Sequence, residues 1–231
     1  MLLENPRIFT PKIISTSIST VWILSFTLIF QESLRTPGAP ETGLLYLYLF
    51  SAPLIGFLGV FVSVMMADLV KTSSNISLRE SFRNTLEKWR SLIGVSTALL
   101  AATLFVSLPA SIGTASYLLT GEIFYIAAGA AVTLLLTILL TFTIFFLPIT
   151  ILEKGKLDKS VKKSLKASRH NSREVTLLLL HSTVLLVLGA TMQGTLGNLG
   201  LAGFAASRLI SAVTTTYLFI VSPKMYLEDG Q

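Results

Sequence analysis

The chain contains no cysteine. That excludes disulfides, thiolate nucleophiles and Cys-based metal sites, and it leaves the redox compartment unread. Charge is scarce as well. Only 13% of the 231 residues are Asp, Glu, Lys or Arg, against about 25% in soluble domains. Histidine occurs twice, at His170 and His181, and neither lies in H-E-x-x-H or another metal-ligand spacing. No G-x-x-x-x-G-K-[ST] loop is present, so ATP is not bound by that route, and no G-x-S-x-G occurs. The Gly-rich run 194–200 has no strand before it and reads as an outer turn. No polar stretch is long enough to bury a core, so no soluble domain is expected.

What the chain does have is apolar residues in long blocks, 52% of the whole. Residues 123–152 hold no Asp, Glu, Lys, Arg or His. As a helix such a block measures roughly 45 Å, more than the roughly 30 Å hydrocarbon core of a bilayer. Six spans are expected, at 13–30, 44–70, 92–112, 123–152, 175–193 and 201–221. The first lacks the strongly basic start and small-residue cleavage site of a signal peptide, and reads as retained.

The connections alternate. Those at 31–43, 113–122 and 194–200 are short and carry Gly, Pro and Thr, as turns do. The other two are longer and rich in Lys and Arg. Of 18 basic residues, all but Arg35 and Arg208 fall in the N-terminal segment, these two connections and the C-terminal tail. Basic residues near span ends stay on the cytoplasmic side. Both termini are therefore expected in the cytoplasm, in the cell membrane. The net charge of +6 belongs to that one face and needs no nucleic-acid partner.

Two apolar runs end alike. Pro148 to Gly155 and Pro223 to Gly230 both read P-x-x-x-L-E-x-G. Shifting the chain by 83 residues also lays Leu69, Lys71, Ser77, Ser81 and Arg90 on identical residues at 152, 154, 160, 164 and 173. The expected fold is all-α: a polytopic membrane protein of six transmembrane helices as three tandem hairpins, about 1–71, 72–154 and 155–231. Tandem units occur in transporters and also in inert bundles. Gly155 and Gly230 suit the left-handed position after a helix. Glu153 and Glu228 sit where the helix dipole disfavours negative charge, which a nearby Lys or Arg would offset. Otherwise each carboxylate is simply in water at the interface.

Both basic connections read as amphipathic cytoplasmic elbow helices. Ser77 and Glu80 match a capping box, followed by an apolar stripe of Leu78, Phe82, Leu86, Trp89 and Ile93 among Arg79, Arg83, Lys88 and Arg90. In the second elbow Leu157, Val161 and Leu165 form a shorter stripe, flanked by Lys159, Lys162, Lys163, Lys166 and Arg169. These five are candidate contacts for anionic lipid headgroups or a protein partner, beside the simpler role of enforcing topology.

The start Leu2-Leu3-Glu4-Asn5-Pro6-Arg7-Ile8-Phe9-Thr10-Pro11, a span hairpin, then Leu147-Pro148-x4-Glu153 and Ser160-x3-Ser164-Leu165-x3-Arg169 carry a likeness over most of the chain. It resembles a broad group of poorly characterised prokaryotic six-helix membrane proteins. That group includes the membrane domain associated with glycerophosphodiester phosphodiesterases. The resemblance implies an all-helical polytopic fold with elbow helices and no catalytic residues. The phosphodiesterase catalytic domain is not in the chain, so that activity is not carried over.

Within the spans two ionisable groups stand out, His181 and Arg208, each about two turns in from opposite faces. His181 can be satisfied by a neighbouring helix, and Arg208 can snorkel. Gly203, Ser207 and Ser211 follow small-x-x-x-small spacing and suit close packing within the molecule. Ser15, Thr16, Ser17, Ser19 and Thr20 can line a polar path or bond back to their own helix. The expected class is a transporter-like or membrane-accessory protein that handles lipids or small solutes, or anchors a cytosolic or membrane protein partner. No catalytic, metal or cofactor site is expected. The alternatives are a membrane-embedded enzyme of lipid headgroups, and the permease subunit of an exporter whose ATPase is a separate chain.

Overall fold

The computed structural model describes residues 6–35, 41–72, 77–154, 156–198 and 200–228. Every element among them is helical. A short 3-10 turn at Pro6–Phe9 leads into α1 (Thr10–Arg35), followed by α2 (Glu41–Lys71), α3 (Leu78–Leu86) and α4 (Trp89–Thr120). Then come α5 (Ile123–Ile144), α6 (Leu147–Lys154), α7 (Leu157–His170), α8 (Ser172–Gly197) and α9 (Gly200–Glu228). Four of these, and the stretch Ile123–Glu153 through α5 and α6, are long and apolar enough to cross a membrane; the four are α1, α2, α4 and α8. Their outer surfaces are greasy: Leu104, Ile112, Leu134, Ile138 and Val187 are all exposed. Such continuous apolar exposure suits lipid and not water. The sixth expected span lies on α9, whose described apolar stretch is Gly200–Val213.

Helix α2 is the hub. Its last ten residues before Lys71, from Phe61 to Val70, are all buried, so this half is enclosed on every side. It packs on α1, α3, α4, α6 and α9. A helix that is apolar all round needs such enclosure. Phe61, Val64 and Met65 meet Leu92, Val95, Leu147 and Ile151 on one side. Val62, Met66 and Val70 meet Ile8 and Ile220 on another. Further along α2, Trp22 Nε1 donates to Ser51 Oγ at 2.7 Å and fastens α1 to it.

Several expectations are corrected. The third span does not end at 112: α4 runs to Thr120, and the turn is Gly121–Glu122, with Gly121 at φ 75°. Gly113, read as the start of a turn, is buried inside the α4–α5 contact. A Cβ there would lie 2.4 Å from the Tyr125 carbonyl oxygen, and one at Gly129 would lie 2.5 Å from that of Pro109. The two glycines let the backbones touch. Beside them Ala110 N donates to Thr133 Oγ1 at 3.0 Å, next to the donor that Pro109 lacks. The run 194–200 is likewise mostly helix, since α8 continues to Gly197. The expected caps at Gly155 and Gly230, and the resemblance at Leu2 to Asn5, lie outside the described residues.

The expected fourth span at 123–152 is one apolar run but two helices. Between α5 and α6 the helix is interrupted at Phe145–Phe146. Pro148 explains it: its ring clashes with the carbonyl four residues back, Ile144, where α5 ends.

The elbows are helices, α3 and α7. Ser77 caps α3, its Oγ accepting from Glu80 N at 3.2 Å. The face buried most deeply against the protein is the small hydroxyl stripe; the apolar one is only half covered, where Leu78 and Phe82 reach the Phe61 cluster. Ser81 and Thr85 on α3, and Ser160, Ser164 and Ser168 on α7, have no exposed surface. Phe82, Leu86 and Trp89 are about half exposed, at 49%, 47% and 48%. Small residues bring the elbow axis close to the spanning helix, which leaves the bulky side chains outside.

Candidate functional site

The region where α6, α7 and α9 meet is assembled by the helix break. Phe145 sits at the interruption, and its carbonyl accepts from Ser222 Oγ of α9 at 2.8 Å. One turn beyond, Thr150 Oγ1 donates to the Ser160 carbonyl at 3.0 Å and Ser160 Oγ donates to the Thr150 carbonyl at 3.1 Å. This reciprocal pair locks α7 onto α6. At the end of α6, Glu153 takes two partners. Lys163 Nζ donates to its carboxylate in an ion pair, and Tyr226 OH donates to the same oxygen at 2.9 Å. The Lys163 ammonium also lies 5.3 Å from the Tyr226 ring centroid. Its hydrogen bond to Glu153 holds the Lys163 pKa above the usual lysine value. Burial pushes the Tyr226 phenol up as well.

The two P-x-x-x-L-E-x-G endings therefore meet, through Glu153 of the first and Tyr226 of the second. The cation that offsets the dipole at Glu153 comes from α7. Glu228 instead pairs with Lys224 one turn before it, at 3.6 Å and well exposed.

Above this junction lies a cavity of about 340 Å³. It is lined by α2, α4, α5, α6, α8 and α9, with Val64, Val95, Leu99, Leu147 and Ile151 among its walls, and Phe145, Pro148 and Pro223 beside the break. Its four lining hydroxyls are all spent on main-chain carbonyls. Ser63 donates to Val60, Thr141 to Thr137, Ser182 to Leu178 and Ser222 to Phe145. The wall facing the cavity is correspondingly apolar, suited to a hydrocarbon and poorly to a polar solute.

The sequence candidates divide. Lys159, Lys162, Lys166 and Arg169 are exposed on α7. Lys163 is turned inward onto Glu153. His181 is exposed on α8, its ring 5.5 Å from that of Tyr217 on α9. Arg208 is half-buried on α9, and its Nε is buried with no hydrogen-bond partner among the described residues. His181 and Arg208 share no hydrogen bond. Gly203 and Ser207 are buried, and a Cβ on Gly189 of α8 would sit 3.6 Å from Ser211 Oγ, so this small-residue face packs α9 on α8. In α1, Ser15, Thr16 and Thr20 are buried, while Ser19 bonds back to the Thr16 carbonyl at 2.9 Å.

Sequence reasoning missed the cavity and the role of Tyr226. Pro148 was the available signal, because a proline inside an apolar run marks where a helix can break and a wall open, although α9 runs unbroken through Pro223. Among the described residues no group of three His, Asp or Glu is placed to hold a metal ion. No family model, curated protein or solved structure matches the chain.

Proposed function

We propose that the chain is a six-span protein of the cell membrane, transporter-like or membrane-accessory in class, that binds lipid. An acyl chain occupies the central cavity, and the elbows rest on the anionic cytoplasmic leaflet. The cavity carries this reading: it is apolar, bordered by six helices, and its hydroxyls are turned to the backbone. Its volume falls in the range of small-ligand sites, roughly 300–1,000 Å³. What converges on it is hydrocarbon wall and not reacting groups, which favours binding over catalysis.

The elbows support the same reading. Leu86 and Val161 face outward beside Arg79, Arg83, Lys159 and Lys162, as in a helix lying in the headgroup plane. The four outward cations of α7 contribute about 1 kcal/mol each near an anionic surface. Packing of α1 on α2, α4 on α5 and α8 on α9 supports three hairpins, with α9 as the sixth span. So does burial at positions 83 apart: 64 and 147, 66 and 149, 81 and 164, 85 and 168, 92 and 175. Placement of the basic residues supports cytoplasmic elbows and termini.

The test is lipid mass spectrometry on the full-length protein purified in mild detergent, compared with Leu99→Trp, which fills the cavity from α4. An acyl lipid should accompany the wild type and be depleted in the variant, with thermal unfolding confirming that the variant is folded. Equal lipid content in the two would remove the cavity as its site.

A further inference from the structure

The packed faces of α1 and α9 carry a second feature, beside the cavity, whose wall shares Phe219 with it. Ile8 packs with Ile220 and Leu227, while Lys12 lies over Phe219, its ammonium 4.5 Å from the ring centroid. The two helices thus run in opposite directions past each other. On α1, Lys12, Thr16 and Thr20 recur every four residues and share one face. On α9, Arg208, Ala212, Thr216 and Phe219 share another, at steps of four, four and three. Arg208 lies eleven residues, about three turns, before Phe219, so it is on the same α1-facing side of α9 as the ring under Lys12, and the two positive charges oppose each other along the seam. Neither cation has a carboxylate partner among the described residues.

Two buried polar atoms here have no hydrogen-bond partner among the described residues: Arg208 Nε and Thr20 Oγ1, the latter on a residue only 7% exposed. Thr16 and Thr216 are buried on the same faces. Two like charges in an apolar span repel each other and are costly to desolvate. Everything unpaired in this seam is a cation or a hydroxyl. The missing member is an anion.

We propose that the α1–α9 seam binds an oxyanion, a carboxylate or phosphate group, through Arg208 and Lys12. The guanidinium offers Nε and a terminal nitrogen as a side-on fork for two oxygens of one group. Lys12 adds a point charge, and the Thr20 hydroxyl a further donor. The oxyanion belongs either to a free ion or to a lipid headgroup entering from the side.

The experiment uses full-length protein in neutral detergent and reads thermal unfolding against ligand concentration. The arms are inorganic phosphate, dihexanoyl phosphatidic acid and dihexanoylglycerol, with sodium chloride matching ionic strength. A saturable rise in unfolding temperature is expected with an oxyanion arm and not with dihexanoylglycerol. A rise with phosphate alone identifies a free ion as sufficient; a rise only with the phosphatidic acid identifies a headgroup. Arg208→Gln should abolish the rise. Arg208→Lys should weaken binding about tenfold, the scale of one charge-assisted hydrogen bond. Lys88→Gln, on a cation far along the chain from the seam, should leave it unchanged. If Arg208→Gln does not fold, Lys12→Gln carries the test and should weaken the phosphate response. The proposal is overturned if neither oxyanion shifts the wild type beyond chloride, or if the wild-type shift persists undiminished in the Arg208 and Lys12 variants.

Discussion

Elbows α3 and α7 dock on their spanning helices through the same face, but with different bonds. Both use small hydroxyl residues at equivalent places: Ser81 and Thr85 in one, Ser164 and Ser168 in the other. In the first unit Ser81 Oγ donates to the Met65 carbonyl at 3.1 Å, and Asn84 Nδ2 donates to Asp68 at 3.2 Å. Shifted by 83, Asp68 and Asn84 become Ile151 and Ala167, both apolar. There the carboxylate has moved two residues on, to Glu153, its partner four residues back, to Lys163, and the brace recruits Tyr226 from α9. The spanning helix differs too: α2 is continuous where the α5–α6 run is broken by Pro148. A buried brace accompanies an unbroken helix. A partly exposed brace accompanies the broken one, beside the cavity. The comparison separates what makes an elbow, which is the hydroxyl face, from what varies between elbows.

Filling the shared face should have the largest effect. Ser81→Leu and Ser164→Leu each force a bulky side chain into a contact with no free surface. Overpacking of this kind costs about 1–3 kcal/mol, and Ser81→Leu also removes a hydrogen bond worth roughly 0.5–1.5 kcal/mol. Both variants should unfold at lower temperature in detergent. Leu86→Ser, on the outward face, should change stability by no more than about 0.5 kcal/mol. A serine substitution at 86 more damaging than leucine at 81 would mean that the apolar stripe is the packed face.

The elbow faces show what the sequence could and could not disclose. Helical spacing, the Ser77 cap and the clustered basic residues made both elbows visible. The stripe Leu78, Phe82 and Leu86 suggested an apolar face, yet spacing alone does not say whether such a face meets protein or lipid. In water the apolar face must be buried; at a membrane the rule reverses, and Ser81 and Thr85 go inside. Glycines misled for a related reason. Gly113 suggests a turn in the sequence, because a glycine in a chain of unknown depth is equally a breaker and a close-contact residue; Gly194 lies inside α8 with open space around it. The pairing of Glu153 with Lys163 and Tyr226 joins residues up to 73 positions apart, and nothing local in the sequence specifies it. Arg208 stood out at once, since a cation in an apolar run needs an explanation wherever it packs.

The second way to sharpen the comparison is to cut each brace. Asp68 is 7% exposed, so Asn84→Leu leaves a buried carboxyl without its donor. That should cost about 1–3 kcal/mol. Lys163→Gln removes a partner whose side chain is 39% exposed, from a carboxylate that keeps Tyr226. Solvent screens such a pair, and the loss should stay within about 1 kcal/mol. Unfolding midpoints of the two variants decide it. A larger loss at Lys163 than at Asn84 would make the exposed brace the stronger one and reverse the distinction drawn between the units.

The smallest expected effect is a pH dependence confined to the second brace. Lys163 is raised above the usual lysine value of 10.5, chiefly by its hydrogen bond to Glu153. A group whose folded pKa exceeds its unfolded one stabilises fully below the unfolded value and loses that contribution as pH rises through the folded value. Tyr226 is raised above 10.0, chiefly by burial, and its linkage has the same sign: the folded state holds the phenol proton more tightly, and that advantage fades on the alkaline side. Lys163→Gln should therefore differ from wild type by a constant amount around neutrality. The difference should shrink only above about pH 10.5, where the ammonium of the unfolded chain loses its proton while the folded one still holds it. Tyr226→Phe, which keeps the ring over Lys163 but removes the phenol, should narrow the alkaline fall without abolishing it. Asn84→Leu should show no such alkaline convergence with wild type, because the side chain it removes does not ionise. Unfolding midpoints of the four proteins from pH 7 to 11 test this directly. A difference between wild type and Lys163→Gln that already vanished by pH 8 would mean that the ammonium is not held by Glu153, and the second elbow would then rest on its serine face alone.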